Sequence, residues 1–289
     1  MRLVNFQKEG RNTLGIWTDK GVIDVALFAR EGEPVTMRQA LELGREGALA
    51  ALTPVVERAD RFLDPEGIVY APAVDDPEKI LGIGKNYLDH ANEMPDLFRG
   101  CDAAPEIFPK FRNALAPHGG KVRLNPNSRK HDYESEVAVI IGRRAWNVSE
   151  AEAMDYVFGY TLANDVTARD LQKAAKQWTP GKACDTFCPL GPCILTAEEA
   201  PWGELHIHGY KNGELRQDGW TRDMIRSIPW LVSFLSRCCT LVPGDVILTG
   251  TPAGVIGGRP EGQQDWLQAG DTLTVSVPEI GTLTVTMTE

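Results

Sequence analysis

The chain has 289 residues, 43% of them hydrophobic and 24% charged, and a formal net charge of -10 at pH 7. These proportions suit a folded chain with a sizeable core and argue against disorder. The acidic excess argues against non-specific nucleic-acid binding, which needs clustered Lys and Arg to neutralise phosphates; an anionic small substrate would need a local cation.

The opening "MRLVNFQKEGRNTLGIWTDKGVIDV" alternates apolar and polar residues around a "DKG" turn and lacks the apolar core of a signal peptide. No apolar run of about 18 residues occurs elsewhere, so no membrane span is indicated and a soluble, cytoplasmic protein is expected. Cys101, Cys184, Cys188, Cys193, Cys238 and Cys239 show no C-x-x-C or paired zinc spacing, which reads as reduced structural thiols.

In chain order, the N-terminal strands lead to a helical stretch, "TMRQALELGREGALAALTPVVERAD", with Thr36 as its N-cap and "DPEG" at its end. A boundary in "APAVDDPEK" divides a small domain, 1–72, from a larger one, 73–289. "KILGIG" is a strand, and "NYLDHANEM" is a short helical turn. Pro95 to Pro109 has the composition of a long, functional or mobile loop, a candidate lid. "HDYESEVAVIIG" reads as one strand. "VSEAEAMDYV" opens with the capping-box pair Ser149 and Glu152 and should be helical. "FGYTLANDV" is a strand and "TARDLQKAAKQW" a helix. "HIHGYKNGELRQD" is a hairpin turning at Asn212 and Gly213. "RDMIRSIPWLVSFLSRCC" is an amphipathic helix, expected to kink at Pro229. The remainder is strand and turn, without solenoid repeats. The larger domain is therefore mainly β, with helices packed outside.

Three constellations carry possible chemistry. On one strand, Glu134 and Glu136 project to the same side. At about 6.6 Å apart, two ionised carboxylates repel by roughly 2.5 kcal/mol at an effective dielectric near 20. With Asp165 of "ANDVTARD" they offer hard oxygen donors for Mg2+; the alternative is a solvated face, with Asp165 capping the next helix. Second, His90 and Glu93 share a helical face, where the carboxylate could orient the imidazole as a general base, or the pair could be a surface hydrogen bond. Third, Lys182 lies in the turn-rich "QWTPGKACDTFCPLGP", held over a cavity to stabilise an anion, or merely exposed in a loop. Arg169 and Gln172, at i, i+3 spacing, could hold a substrate carboxylate or form ordinary helix surface.

His206 and His208 share a strand face but lack an evident third ligand, so a structural or exposed role is expected. "GIGKNY" lacks the G-x-G-x-x-G pattern, and no G-x-S-x-G elbow occurs, which sets aside nucleotide binding and standard serine hydrolysis.

Taken in order, "GIGKNYLDHANE", "DYESEVAVIIG", "GYTLANDVTARDLQ", "QWTPGKACDTFCPLGP" and "GDVILTGTPAGV" resemble the fumarylacetoacetate hydrolase family, over roughly residues 78 to 289, and most closely its small bacterial-type and domain-containing-2 branch. The resemblance implies an α+β fold, with a mainly β catalytic part of mixed β-barrel or β-roll type and a small N-terminal α/β appendage. It also implies a homodimer and a Mg2+ or Mn2+ cofactor. Position by position, it implies metal ligands at Glu134, Glu136 and Asp165, an active-site lysine at Lys182 and a catalytic dyad at His90 and Glu93. Arg169, Gln172 and Thr251 fall on substrate-side positions. One departure is Asn113, where many members carry Ser or Thr. The implied activity is metal-dependent carbon–carbon hydrolysis of a 2,4-dioxo acid of acylpyruvate or fumarylpyruvate type, through a stabilised enolate. Oxaloacetate decarboxylation or keto–enol tautomerisation would use the same residues, and a metal-binding protein without turnover is the third alternative. In each catalytic case the partner is a small anionic 2-oxo acid.

Overall fold

Strand β1 (Arg2–Lys8) pairs along its whole length with β2 (Arg11–Thr18), which pairs with β3 (Gly21–Asp24). The computed structural model describes residues 1–94, 105–174 and 176–289. Thr36 caps the first helix through a complete capping box with Gln39, as expected. Gly44, at φ +70°, then interrupts the helical stretch, which divides into Met37–Glu42 and Gly44–Arg58. Only glycine adopts that backbone conformation without strain.

The fold is mixed α and β and mainly sheet. After β4 (Val69–Tyr70), the chain adds β5 (Ile80–Gly84), β6 (Glu106–Lys110), β7 (Leu115–Ala116), β8 (Lys121–Arg123) and β9 (His131–Asp132). Next come β10 (Ser135–Ile141), β11 (Val157–Asn164), β12 (Thr167–Ala168) and β13 (Cys188–Thr196). The last strands are β14 (His206–Lys211), β15 (Glu214–Trp220), β16 (Val246–Leu248), β17 (Thr272–Val277) and β18 (Gly281–Thr288). Eleven strands form one sheet along the path β3-β2-β1-β13-β11-β10-β16-β5-β6, with β4 and β7 attached to its sides. A second sheet runs β15-β14-β17-β18-β8, and β12 pairs with β9. N-terminal β1 thus joins the central sheet at β13.

The apolar run "VAVII" explains why β10 is central. Its alternate side chains serve two cores: Val137, Val139 and Ile141 pack with Val275, Leu283 and the helix Ile228–Cys238. Ala138 and Ile140 face the N-terminal core of Leu3, Leu41 and Leu52. A strand covered on both faces reads as a continuous apolar stretch rather than an alternation.

Several elements differ from expectation. The "HDYESEVAVIIG" strand is two, β9 and β10, separated by Tyr133 and Glu134. "VSEAEAMDYV" yields only a 3-10 turn, Ala153–Tyr156. There the Ser149 hydroxyl donates to the Glu152 carboxylate at 2.6 Å instead of accepting from its backbone N–H, so the capping box does not close. Pro229 opens its helix rather than kinking it. Ser227 caps that helix by accepting from Trp230 N at 3.2 Å, leaving Pro229 in the first turn, where a missing N–H needs no partner. The helix from Arg169 is described as far as Ala174, and Thr179–Lys182 forms a separate turn. Most of the expected lid loop, with Cys101, lies outside the described residues, while Glu106–Lys110 is strand β6. β6 is an edge strand, so Pro109 costs the sheet no ladder bond. The Asn212 and Gly213 hairpin forms as expected, both residues at positive φ. No helix among the described residues is long and apolar enough to cross a membrane.

Candidate metal centre and active site

Antiparallel pairing of β10 with β11 sets Ser135 opposite Asn164, so Glu134 and Asp165 leave adjacent strand ends. Two bonds fix that corner: Asp165 N donates to Glu134 O at 2.8 Å, and Glu134 N donates to Asn164 Oδ1 at 3.0 Å. Oxygens of Glu134, Glu136 and Asp165 all lie within 4.8 Å of one another. All three residues are buried, at 5%, 2% and 0% exposure, which rules out the solvated face. Asp165 does not spend its carboxylate on capping a helix; it pairs with two lysines.

Those lysines reach in from different elements. Lys182 Nζ sits 2.5 Å from Glu134 and 2.6 Å from Asp165, with the Phe108 ring 4.8 Å away. Lys110 Nζ lies 2.6 Å from the other Asp165 oxygen and donates to the carbonyls of Val166, Lys182 and Phe187. It therefore ties down the turn that carries Lys182. Arg169 binds Asp132 at 2.8 Å and Glu134 at 2.7 Å, and its Nη1 donates to Gln172 Oε1 at 3.3 Å. Its guanidinium thus orients the acidic wall, while Gln172 Nε2 is buried without a partner among the described residues, in a residue lining the cavity.

The charges do not balance. Burial opposes ionisation of Glu134, but Lys182 and Arg169 outweigh it and hold its carboxyl well below the usual range. Glu136 makes no ion pair among the described residues and accepts only from Gly250 N, at 2.8 Å. Burial, then the charges of Asp165 and Glu134, push its carboxyl well above the usual range. An uncompensated acidic group among hard oxygen donors fits a divalent cation such as Mg2+ or Mn2+, which Glu134, Glu136 and Asp165 would hold.

His90 faces the same cavity from the helix Leu88–Glu93. Its Nδ1 is 2.7 Å from Glu93 Oε1, and Glu93 Oε2 accepts from Gly254 N at 2.9 Å, so the pair is anchored rather than a loose surface contact. Thr251 also lines the cavity, its hydroxyl held between Gln217 Nε2 (2.7 Å) and Ser135 O (2.9 Å). Asn113 lies outside the cavity lining; its amide donates to Ala183 O and Asp185 Oδ1 and so braces the loop after Lys182.

Sequence reasoning missed Lys110, Asp132, Lys85 and the aromatic wall of Phe108 and Trp178. The glycines of "GIGKNY" were the available signal. A Cβ on Gly82 would lie 2.2 Å from the Phe108 ring, and one on Gly84 would lie 2.4 Å from Trp178. They let aromatic rings close over β5.

The profile of the fumarylacetoacetate hydrolase C-terminal domain matches residues 79–288. The chain belongs to the fumarylacetoacetate hydrolase family. Among the curated relatives of this family member is the mitochondrial oxaloacetate tautomerase fahd2 of Xenopus laevis, 37% identical across 98% of this chain and 89% of the relative. Oxaloacetate tautomerase YisK of Bacillus subtilis is 42% identical across 74% of this chain and 71% of its own length. Among solved structures, the fumarylacetoacetate hydrolase of Exiguobacterium antarcticum superposes with a TM-score of 0.86 at 32% identity, covering 100% of this chain and 99% of that one. The maleylpyruvate hydrolase of Sphingobium sp. SYK-6, solved with manganese(II) and pyruvate, gives a TM-score of 0.79 at 28% identity, with 100% and 99% coverage. The family's enzymes thus include tautomerases, isomerases and hydrolases.

Proposed function

We propose that this chain is a divalent-metal-dependent enzyme of small anionic 2-oxo acids, and that its reaction is keto–enol tautomerisation of oxaloacetate. The observation that carries the reading is the His90–Glu93 pair, 2.7 Å apart, whose histidine lines one cavity with Glu134, Glu136 and Lys182, the two glutamates having Asp165 beside them. The names of the relatives that align over nearly the whole chain support the choice of reaction.

A divalent cation held by the three carboxylates would supply Lewis acidity towards a 2-oxo acid. The chain's own groups then move one proton. His90 takes it from the carbon next to the keto group, and Glu93 stabilises the imidazolium that results. As the C–H bond breaks, its electron pair forms the new C=C bond and the carbonyl pair settles on oxygen. The Lys182 ammonium offsets that negative charge. Return of the proton from His90 to oxygen completes the enol, and the reverse steps restore the ketone. Gln172 Nε2, a buried donor without a partner among the described residues, would donate to a substrate carboxylate.

Carbon–carbon hydrolysis of a 2,4-dioxo acid is the second reading, because the same anchored pair could activate water, and a neighbouring fold is named as a maleylpyruvate hydrolase. Decarboxylation of oxaloacetate would need no such base. The test is a panel with Mg2+-loaded protein: enol-oxaloacetate followed by its ultraviolet absorbance, then acetylpyruvate and fumarylpyruvate followed by released pyruvate, each with an EDTA control. Accelerated tautomerisation that disappears with EDTA and in His90→Ala is expected. Pyruvate release from the diketones, with tautomerisation no faster than in buffer, would replace the first reading with the second. Loss of carbon dioxide from oxaloacetate would mark the decarboxylase. The assembly expected for this enzyme is a homodimer.

A further inference from the structure

On the second sheet, β14 and β15 bring together three groups that do not line the cavity described above. His206 and His208 project from the same face of β14, and Asp218 stands directly across from His208 on β15. One ligand atom from each of the three lies within 4.8 Å of the others. The sequence shows the histidine pair but not the carboxylate, which is twelve residues from His206 in the chain and reaches it only when the hairpin closes.

We propose that His206, His208 and Asp218 form a second metal site, for a Zn2+-, Cu2+- or Ni2+-class ion. The separations suit it. His206 Nε2 lies 2.5 Å from Asp218 Oδ1 and His208 Nε2 lies 4.0 Å from it. Ligand atoms around tetrahedral zinc stand about 3.3 Å apart for bonds of about 2.0–2.1 Å. The two distances bracket that value, and a small rotation of the Asp218 side chain, 57% exposed, would even them out. One ring is already fixed: His206 stacks on Trp220, centroids 4.0 Å apart and planes 12° from parallel. Such pre-ordering lowers the entropy lost on binding. Three protein ligands leave a fourth tetrahedral position open to water.

The donor chemistry separates this site from the acidic one. Imidazole nitrogen suits zinc, copper and nickel, whereas three carboxylates suit magnesium and manganese. Each ion should therefore sort to its own site. An ion on the hairpin would join β14 to β15, and the neighbour of Asp218, Gln217, points inward to bond Ser135 N and Thr251 Oγ1.

The experiment uses the full chain without a histidine tag, in excess Mg2+ so that the acidic site is occupied. Zn2+ binding is measured by calorimetry, and Cu2+ coordination by electron paramagnetic resonance. A single Zn2+ per chain is expected beyond Mg2+, with nitrogen splitting from two imidazoles in the Cu2+ spectrum. His208→Ala and Asp218→Asn should each weaken Zn2+ at least about tenfold, since even a residue supporting a ligand is worth that much. The Asn variant is nearly isosteric at an exposed position, so it keeps the proposal testable if the alanine variant misfolds. No Zn2+ binding in Mg2+, unchanged affinity in the variants, or a spectrum with oxygen ligands alone would overturn the proposal.

Discussion

Replacing Lys182 with Met removes one positive charge from a sealed acidic site and leaves nearly the same volume behind. Lys182 is 1% exposed, and its ammonium touches both Glu134 and Asp165. Breaking a buried pair by removing one partner costs about 3–5 kcal/mol where the other charge is stranded, an upper bound here because Arg169 still holds Glu134 and Lys110 still holds Asp165. At about 2–4 °C per kcal/mol for a chain somewhat smaller than this one, metal-free Lys182→Met should melt below the parent protein by more than about 2 °C and by at most roughly 6–20 °C. Scanning calorimetry in EDTA measures this directly. Saturating Mg2+ should then raise the variant's Tm by more than the parent's, since the dication takes over the missing charge compensation. The pH dependence has a definite sign. Glu134 is held below its usual range in the folded parent, so its contribution is present above the unfolded value of about 4.3 and is lost as pH falls towards the folded one. The gap between parent and variant should therefore be full at neutral pH and shrink in acid. A variant melting within about 2 °C of the parent in EDTA at neutral pH would refute the assignment of Lys182 as compensating charge.

Three further outcomes follow from other contacts. Gly258→Ala would place a Cβ 2.6 Å from the Glu93 carboxyl carbon, displacing a flexible side chain; kcat should fall at least about tenfold with Tm little changed, and intact kcat would deny Glu93 its positioning role. Gln172→Leu removes an amide N–H that has no partner among the described residues, and with it the acceptor of Arg169 Nη1, so KM for the 2-oxo acid should increase with some loss of stability; unchanged KM would show that Gln172 does not meet substrate. Glu136→Gln keeps an acceptor for Gly250 N while removing the least compensated charge. Metal-free Tm should hold or rise and Mg2+ affinity, by calorimetry, should drop at least about tenfold; equal affinity would exclude Glu136 as a ligand.

Residue type and spacing brought the acidic trio, the His90–Glu93 pair and Lys182 into view but left each with an ordinary alternative; the family resemblance singled them out, and the structure brings their side chains together. The helix Leu88–Glu93 and the Asn212 hairpin were legible from residue type and spacing. Lys110 was not. It lies in a strand without local signature, and its role exists only because β6 brings it to Asp165, fifty-five residues away. Arg169 shows a related limit: helical spacing put it beside Gln172, but only the tertiary structure reveals that Asp132 and Glu134 occupy its guanidinium. Ser149 and Glu152 formed the right pair with the wrong donor, a choice that depends on hydroxyl direction and is invisible in sequence.

The segment after β16 has a role wider than any single contact suggests. Gly250 N holds Glu136, Gly254 N holds Glu93, and Ile256 N and Gly257 N hold Asp132 behind Arg169. One stretch of backbone thus sets the aim of the proposed cation ligand Glu136, of the proposed proton-transfer partner Glu93, and of the brace behind Arg169. A change there that alters substrate choice would also disturb the charge centre and the base. On the proposed function, attempts to retarget specificity should therefore leave "LTGTPAGVIGG" alone and begin at the aromatic side, Phe108 and Trp178.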